Sequence, residues 1–183
     1  MTPKICLTAC AFLIHEGKVL LVKHKKLGKW LGPGGHMEEN ELPHQAAERE
    51  FLEETGLKVQ VYSASAGDDL FSAERLEGDF FHPIPMAINE HWVCRENYDR
   101  RLLATENNQP FIPDEKWKKG CERHFNFAYL AKLIGPLEIN PAEGESTEIA
   151  WFSPSDLQGK FKDDLASSVF VEVIRAFELA KSV

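Results

Sequence analysis

Runs of apolar residues at the start of the chain predict two strands joined by a tight turn. The runs occupy residues 4–14 and 18–24, and residues 15–17 between them read His-Glu-Gly, a short hairpin connection. Residues 19–22 are apolar without interruption, which is typical of a strand that is covered on both faces. The beginning of the chain is therefore predicted to be a buried hairpin.

The rest of the chain alternates between strand patterns and helical patterns. Strands are predicted at 58–64, 121–134 and 149–152, with a proline-interrupted edge strand at 80–94 and a polar loop at 65–78. Helices are predicted to open at 41–43, at Ser153-Pro154, and at Asp163 or Asp164. The last helix carries an apolar stripe at Leu165, Val169, Val173, Phe177 and Ala180. This order predicts a mixed sheet between helices, although the pattern alone also fits other α+β arrangements.

The first helix carries three carboxylates on one face. Glu50, Glu53 and Glu54 stand at i, i+3 and i+4, where like charges repel. Arg49 lies four residues before Glu53 and can offset one of the three charges. Hard oxygen ligands in this arrangement suit Mg²⁺ or Mn²⁺, especially when a phosphorylated substrate completes the coordination shell. The alternative is an acidic helix face that simply lies in solvent.

A glycine-rich segment, WLGPGG, precedes this helix and favours the metal site over the solvated face. Gly34 and Gly35 are predicted to lie in a turn whose backbone approaches a ligand closely. Lysines within 23–29 come just before it; they either lie in solvent or attract anions. A glycine turn followed by a carboxylate-bearing helix therefore predicts a metal and pyrophosphate site.

The stretch 35–57 resembles the Nudix box, the signature of the Nudix hydrolases. Every defining position of that pattern is filled, by Gly35, Glu41, Arg49, Glu50, Phe51, Glu53, Glu54, Gly56 and Leu57. Two departures are visible, Asn40 where the family commonly has Gly and Met37 where it usually has a β-branched residue. Neither departure removes a ligand, so the resemblance implies an active site.

The resemblance implies an α/β class fold, an α/β/α sandwich with a mixed β-sheet between helices. It implies hydrolysis of a diphosphate bond in a nucleoside diphosphate linked to a further group, with Mg²⁺ or Mn²⁺ as cofactor. Glu50 and Glu54 would be the principal metal ligands, and Glu53 a further ligand or the base. The Gly35 carbonyl would complete the metal site, and Arg49 would orient the carboxylates.

Two further sets of residues are candidates for the site. Families with this box sometimes take the base from a late loop. Glu53 is the first choice for the base here, and Glu145 and Glu148 in the segment PAEGESTEIAW follow it unless that loop is simply solvated. Gly34 and Gly35 are expected to shape the substrate pocket. His124 and Asn126 share a face of the predicted central strand, so we expect them to contact the substrate; a hydrogen-bonded structural role is the alternative for the histidine.

The net charge limits the classes of partner that the protein is expected to bind. Lys and Arg number 21 against 29 Asp and Glu, a net charge of −8, which argues against a large nucleic-acid surface. A small phosphate substrate remains compatible, because bound metal supplies positive charge. The N-terminal segment lacks an apolar run long enough to cross a membrane and does not resemble a signal peptide, so a cytoplasmic location is expected.

The cysteines and histidines show no metal-binding spacing. The four cysteines stand at 6, 10, 94 and 121 without a CxxC pair, and are expected to be small buried side chains in a reducing compartment. Histidines 82, 91 and 124 lack i, i+4 spacing on a helix. No transition-metal site is therefore expected.

We expect one domain over 1–183, with an insertion at 95–120 that carries cations and aromatics but no clear hydrophobic period. Three roles are open for this insertion: a lid over the nucleotide, a homodimer contact, or a tolerated surface loop. The expected function is a metal-dependent pyrophosphohydrolase of a small nucleotide or nucleotide derivative. The alternatives are an inactive Nudix-like nucleotide-binding module and an RNA-processing, decapping-type hydrolase. The first would lack box carboxylates, which are all present here, and the second would show a basic groove, against which the net charge argues.

Overall fold

A computed structural model describes residues 1–63, 82–146, 148–159 and 161–181. The strands are β1 (Ile5–His15), β2 (Lys18–His24), β3 (Lys29–Leu31), β4 (Gly34–His36), β5 (Val59–Tyr62), β6 (Ala87–Trp92), β7 (Arg123–Leu133) and β8 (Ile149–Phe152). The helices are α1 (Pro43–Thr55), α2 (Arg95–Glu106), α3 (Pro154–Gln158) and α4 (Ser167–Ala180), with a 3₁₀ turn at Lys162–Asp164. The predicted loop at 65–78 lies outside the described residues. Within the described ranges, no helix is long and apolar enough to span a bilayer.

The sheet is mixed and is built around β1 and β7, which pair in parallel from Ile5↔Arg123 to Leu13↔Ala131. Strand β4 pairs antiparallel with the other side of β1, and β5 and β6 both pair antiparallel with the far edge of β7. The hairpin partner β2 pairs with β3 and β8. The predicted hairpin and the predicted central strand at 121–134 are confirmed.

Side chains on the two faces of the sheet enter two separate hydrophobic cores. Alternate residues of β1 and β7, among them Ala11 and Tyr129, pack with Ala47 and Phe51 of α1. The intervening residues, such as Phe12 with its neighbours on β7, pack beneath α4. Because a strand alternates its faces with a period of two, one helix covers each side. The predicted α/β/α sandwich is confirmed.

The face beneath α4 changes character along the strands. From Cys10 and Ala128 onward it is apolar and covered, whereas the residues that precede these on the same face are Cys6 and Thr8 of β1, and His124 and Asn126 of β7. His91 and Asn89 of β6 pair with His124 and Asn126 and extend the two polar rows. The polar end of this face lines a cleft.

Helix α1 is fixed at both ends by local chemistry. The Leu42 N–H donates to Gln45 Oε1 at 3.0 Å, so the first turn is capped from within the helix. At the other end Gly56 adopts φ +76° and donates its N–H to the Leu52 carbonyl at 2.7 Å. Glycine meets this left-handed requirement without steric cost, as the sequence predicted.

The segment 95–120 differs from the expected irregular insertion, because its first half is helix α2. Among the described residues of α2 only Asn97 is buried, so the helix shows no hydrophobic period that the sequence could reveal. The Asn97 amide holds the following segment by donating to the carbonyls of Trp117 and Cys121, both at 3.2 Å, and accepting from the Asp114 N–H at 2.7 Å. Polar anchoring replaces the missing apolar core.

The last helix begins at Ser167, later than the predicted start at Asp163 or Asp164. Leu165 adopts an extended conformation, forms a bridge with Trp30, and is buried. Ala166 then donates its N–H to the Trp30 carbonyl at 3.4 Å. This tertiary contact ends the preceding 3₁₀ turn and delays the helix.

Candidate metal and substrate site

Arg49 binds three carboxylates at once. Its Nε and Nη2 donate to the two oxygens of Glu41, at 2.8 and 2.9 Å, and Nη1 donates to Glu50 at 2.9 Å and to Glu53 at 3.0 Å. Nη2 also donates to the His36 carbonyl at 3.0 Å, which ties α1 to the end of β4. The guanidinium therefore fixes the positions of the carboxylates but leaves Glu54 without a cationic partner among the described residues.

The glycines that precede α1 lie in strand β4 and not in the predicted turn. Gly34 pairs with Cys10 and donates its N–H to Glu54 Oε2 at 2.9 Å. A Cβ at Gly34 would lie 2.4 Å from the Ala9 carbonyl oxygen, and a Cβ at Gly35 would lie 2.5 Å from the Glu50 carboxylate. Close approach of the backbone is therefore what requires glycine here.

Burial sets the protonation of the two inner carboxylates. Desolvation raises the pKa of Glu54 to about 8, and the negative charges of Glu50, Glu145 and Glu53 act in the same direction against the Gly34 N–H. Desolvation also raises the pKa of Glu50, whereas Arg49 lowers it. The site thus gathers more negative charge than Arg49 compensates.

The late acidic loop reaches this site through Glu145. The loop is held to the end of α1, because the Asn140 N–H donates to the Thr55 carbonyl at 2.9 Å and the Ala142 N–H to the Glu53 carbonyl at 2.8 Å. Glu145 then lies near enough to raise the pKa of both inner carboxylates. Glu148 instead pairs with Lys23 at 2.8 Å.

A cleft of about 990 Å³ opens beside Gly34 and Gly35. The predicted substrate residues His124 and Asn126 both line it. Five lysines also line this cleft: Lys26, Lys29, Lys116, Lys118 and Lys119. Trp117 forms part of the same wall, with Lys26 Nζ at 5.7 Å from its ring centroid. The chain is acidic as a whole, yet the lysines that line this cleft outnumber its two glutamates, Glu115 and Glu172.

Glu172 of α4 is a residue of the cleft that the sequence did not reveal. It is 5% exposed and accepts from the Asn126 amide at 3.4 Å and from the Asn89 amide. Burial raises the pKa of Glu172 to about 7. The available signal was a carboxylate directly beside the apolar stripe of the last helix, next to Val173, where a charged residue is unexpected.

The predicted face of His124 and Asn126 is present, and it includes more polar groups than expected. The rings of His36 and His124 lie 4.8 Å apart, and those of His91 and His124 lie 5.6 Å apart. Desolvation, together with the neighbouring histidines, lowers the pKa of His124 to about 3. These imidazoles are therefore uncharged at neutral pH, as donors and acceptors in a binding site would be.

Metal-free protein is expected to lose thermal stability as the pH rises from about 7 to about 8, above the range in which histidines of the unfolded chain titrate. A carboxyl whose pKa is raised on folding holds its proton across this window, whereas the unfolded chain releases it, so the free energy of unfolding falls with increasing pH. The pKa of Glu54, raised to about 8, sets the upper end of the window. Thermal unfolding in EDTA at several pH values measures the slope.

The matched variants for this measurement are Glu54→Gln, which should flatten the slope, and Glu39→Gln, which should preserve it because Glu39 is exposed. An unchanged slope in Glu54→Gln would contradict the assigned titration.

Comparison with known proteins identifies the family to which the chain belongs. The NUDIX domain family model matches residues 4–114, more than half of the chain. The oxidized purine nucleoside triphosphate hydrolase of Danio rerio is 43% identical over 107 residues, covering 57% of this chain and 63% of that protein. The chain spans less than two thirds of the length of the curated relatives it matches.

Two solved structures show the same fold. A NUDIX-family hydrolase from Clostridium perfringens has a TM-score of 0.68 at 28% identity, covering 95% of this chain and 97% of that one. A bifunctional NMN adenylyltransferase/ADP ribose pyrophosphatase from Francisella tularensis, complexed with AMP and a Mn ion, has a TM-score of 0.55 at 16% identity, covering all of this chain and 43% of that one. The chain belongs to the Nudix hydrolase family, and the stretch 35–57 is its Nudix box.

Proposed function

We propose that this protein is a divalent-metal-dependent pyrophosphohydrolase that cleaves a diphosphate bond in a small nucleotide or nucleoside diphosphate derivative. One observation carries the proposal: the partly compensated carboxylates Glu50 and Glu54 lie against Gly34 and Gly35 at the edge of a lysine-lined cleft. A phosphate chain in the cleft would thereby reach the carboxylates while its charge is met by lysines.

The residues present fit a hard divalent cation. Glu50, Glu53 and Glu54 offer carboxylate oxygens, and the missing Cβ of Gly35 leaves room directly beside the Glu50 carboxylate. The raised pKa of Glu54 marks a desolvated carboxylate that has no positive partner among the described residues. Mg²⁺ or Mn²⁺ would be held by these three glutamates together with the Gly35 carbonyl. Such ions, when bound, neutralise phosphate charge and make water more acidic.

The remaining residues have positioning roles in this proposal. Arg49 holds Glu50 and Glu53 in fixed orientations through its forked hydrogen bonds. The Gly34 N–H fixes one oxygen of Glu54 and leaves the other for a ligand. His124 and Asn126, in the cleft floor, would contact the substrate. Phosphoryl transfer depends chiefly on such positioning and on charge compensation.

Purine nucleoside triphosphates are the first substrates to test, because the zebrafish relative is named for them and shares 43% identity over 107 residues. The buried amide of Asn126 and the carboxyl of Glu172 provide donors and acceptors that could pair with the edge of a base.

A screen of nucleoside triphosphates, ADP-ribose, dinucleotides and nucleotide sugars tests the proposal, each with Mg²⁺ or Mn²⁺ and with excess EDTA. We expect release of pyrophosphate or a nucleoside monophosphate with at least one substrate, and none in EDTA. Turnover that survives EDTA would overturn metal dependence. Tight nucleotide binding without turnover would favour an inactive binding module.

We infer that Glu145 is the base, in preference to Glu53 and Glu148. Glu53 already accepts a hydrogen bond from Arg49, and Glu148 pairs with Lys23. Glu145 lies within electrostatic reach of both inner carboxylates, as Glu53 does, but among the described residues it has no cationic partner. Glu145→Gln is therefore expected to lower kcat by about 10²-fold or more, the scale of a lost general base.

The control for this prediction is Glu143→Gln, which changes an exposed acid two residues away and should leave kcat within about twofold. Glu53→Gln and Glu148→Gln complete the series. Equal and mild losses in all four variants would mean that none of these glutamates is the base.

We also propose that residues 107–120, the segment after α2, cover the bound nucleotide, with Trp117 stacking on its base. Trp117 and three of the cleft lysines belong to this segment. Trp117→Ala is expected to raise KM about tenfold at nearly constant kcat, the scale of losing one stacked base, and Trp117→Phe should restore most of it. An unchanged KM with an altered sedimentation coefficient would instead identify the segment as a dimer contact.

A further inference from the structure

A second group of potential metal ligands lies away from the Nudix carboxylates. Cys6 of β1, His36 at the end of β4, and Cys121 just before β7 place one ligand atom each within 4.8 Å of one another. The three residues are separated by up to 115 positions in sequence. Their spacing therefore contains no metal-binding motif, and only the folded sheet brings them together.

Strand register explains why they meet. Cys6 pairs with His124 across the parallel β1–β7 ladder, and His36 pairs with Thr8 two residues further along β1. Residues two apart on one strand lie on the same face of the sheet. Cys121 precedes β7 and is held by the hydrogen bond between its carbonyl and the Asn97 amide. The group is thus built from a rigid part of the fold.

The interatomic distances are slightly shorter than those between ligands around one zinc ion. The sulfurs of Cys6 and Cys121 lie 3.3 Å apart, and His36 Nε2 lies 3.1 Å from the Cys121 sulfur. Around a tetrahedral zinc ion, with bonds of about 2.3 Å to sulfur and about 2.0 Å to nitrogen, the corresponding separations are roughly 3.8 and 3.5 Å. An outward shift of about half an ångström would admit the ion.

A further imidazole beside this group lacks a partner. Nε2 of His124 is buried and makes no hydrogen bond to any part of the chain that the structure describes. Its ring lies 4.8 Å from that of His36, and both rings face the cleft. Buried polar atoms in proteins are almost always satisfied, so an unpartnered nitrogen at this place points to a ligand.

We propose that Cys6, Cys121 and His36 bind one Zn²⁺-class transition-metal ion, with His124 beside them as an additional imidazole. Thiolate and imidazole ligands favour such an ion over Mg²⁺, which prefers oxygen, so this site and the carboxylate site select different metals. The bound ion would join β1, β4 and the segment that carries Trp117, and its binding would release the protons of the two thiols.

The test titrates reduced full-length protein with Co²⁺ in the presence of excess Mg²⁺, which occupies the carboxylates. We expect a thiolate-to-cobalt charge-transfer band that saturates at one ion per chain and that Zn²⁺ abolishes. Cys6→Ser and Cys121→Ser should each remove or strongly reduce the band and weaken Zn²⁺ binding, measured by calorimetry, by at least about tenfold. His36→Asn should weaken Zn²⁺ binding likewise.

Cys94→Ser is the matched control, because Cys94 is also buried but its sulfur accepts the Asn97 N–H at the start of α2, a role that serine fills well. It should keep the band and the affinity. Thermal unfolding in EDTA checks that every variant is folded. Absence of the band in reduced wild-type protein, or its persistence in Cys121→Ser, would overturn the proposal. If the reduced protein binds no Co²⁺ and a Cys6–Cys121 disulfide forms in air, the pair is a redox pair and the metal site is likewise excluded.

Discussion

Replacing Glu54 by Gln is expected to lower kcat by at least about 10²-fold with the fold retained. Glu54 is the most enclosed of the three box carboxylates, and one of its oxygens is fixed by the Gly34 N–H. The amide keeps the shape of the side chain but removes the charge that a divalent cation requires. Glu50→Gln should behave similarly, since Glu50 lies directly against Gly35.

Initial rates at saturating Mg²⁺ measure the effect, and Glu39→Gln, an exposed acid before α1, serves as the control. Glu54→Gln should also raise the melting temperature of metal-free protein at pH 8, because it removes a carboxylate charge that is desolvated and is repelled by its neighbours. Near-normal rates in both the Glu54 and the Glu50 variants would remove these residues from the metal site.

Gly56→Ala is expected to lower the free energy of unfolding by at least about 2 kcal/mol. Gly56 has φ +76°, a conformation that costs an L-residue about 1 kcal/mol or more. A Cβ there would also lie 2.3 Å from the Asn140 carbonyl oxygen. Backbone cannot yield as a flexible side chain does, so the end of α1 or the loop that follows Asn140 must move.

Gly17→Ala provides the matched control, because Gly17 has φ +72° but nothing within 4 Å of the added Cβ. Urea unfolding of both variants separates the two contributions: Gly17→Ala reports the left-handed backbone alone, and the excess in Gly56→Ala reports the contact with Asn140. Equal losses of unfolding free energy in the two variants would show that the contact with Asn140 does not destabilise Gly56→Ala. Since the displaced loop carries Glu145, we also expect Gly56→Ala to reduce kcat.

The helix of the box and the central strands could be predicted from sequence because their signals are local. The i, i+3, i+4 spacing of Glu50, Glu53 and Glu54 fixes a shared face as soon as the segment is helical. Alternation at 121–134 likewise placed His124 and Asn126 on one face, and the structure confirms that geometry.

Features that depend on tertiary contacts were missed for identifiable reasons. Helix α2 buries only Asn97 among its described residues, so it has no apolar stripe to recognise. Gly34 and Gly35 were expected in a turn, yet they lie in a strand. Glycine is required there because the backbone of this strand lies very close to β1 and to Glu50. The meeting of Cys6 with Cys121 follows from the parallel register of β1 and β7, which no local spacing encodes.

The two faces of the central strands separate the support of the carboxylates from the lining of the cleft. Residues of β1 and β7 that point toward α1 support the helix that carries the carboxylates, whereas Thr8, His124 and Asn126, on the opposite face, line the cleft. Under the proposed function, a substitution at Asn126 or His124 would change the surface presented to a substrate without entering the packing beneath α1. Selectivity for new substrates could then evolve, or be engineered, by exchanging a few alternate strand positions while the carboxylates keep their geometry.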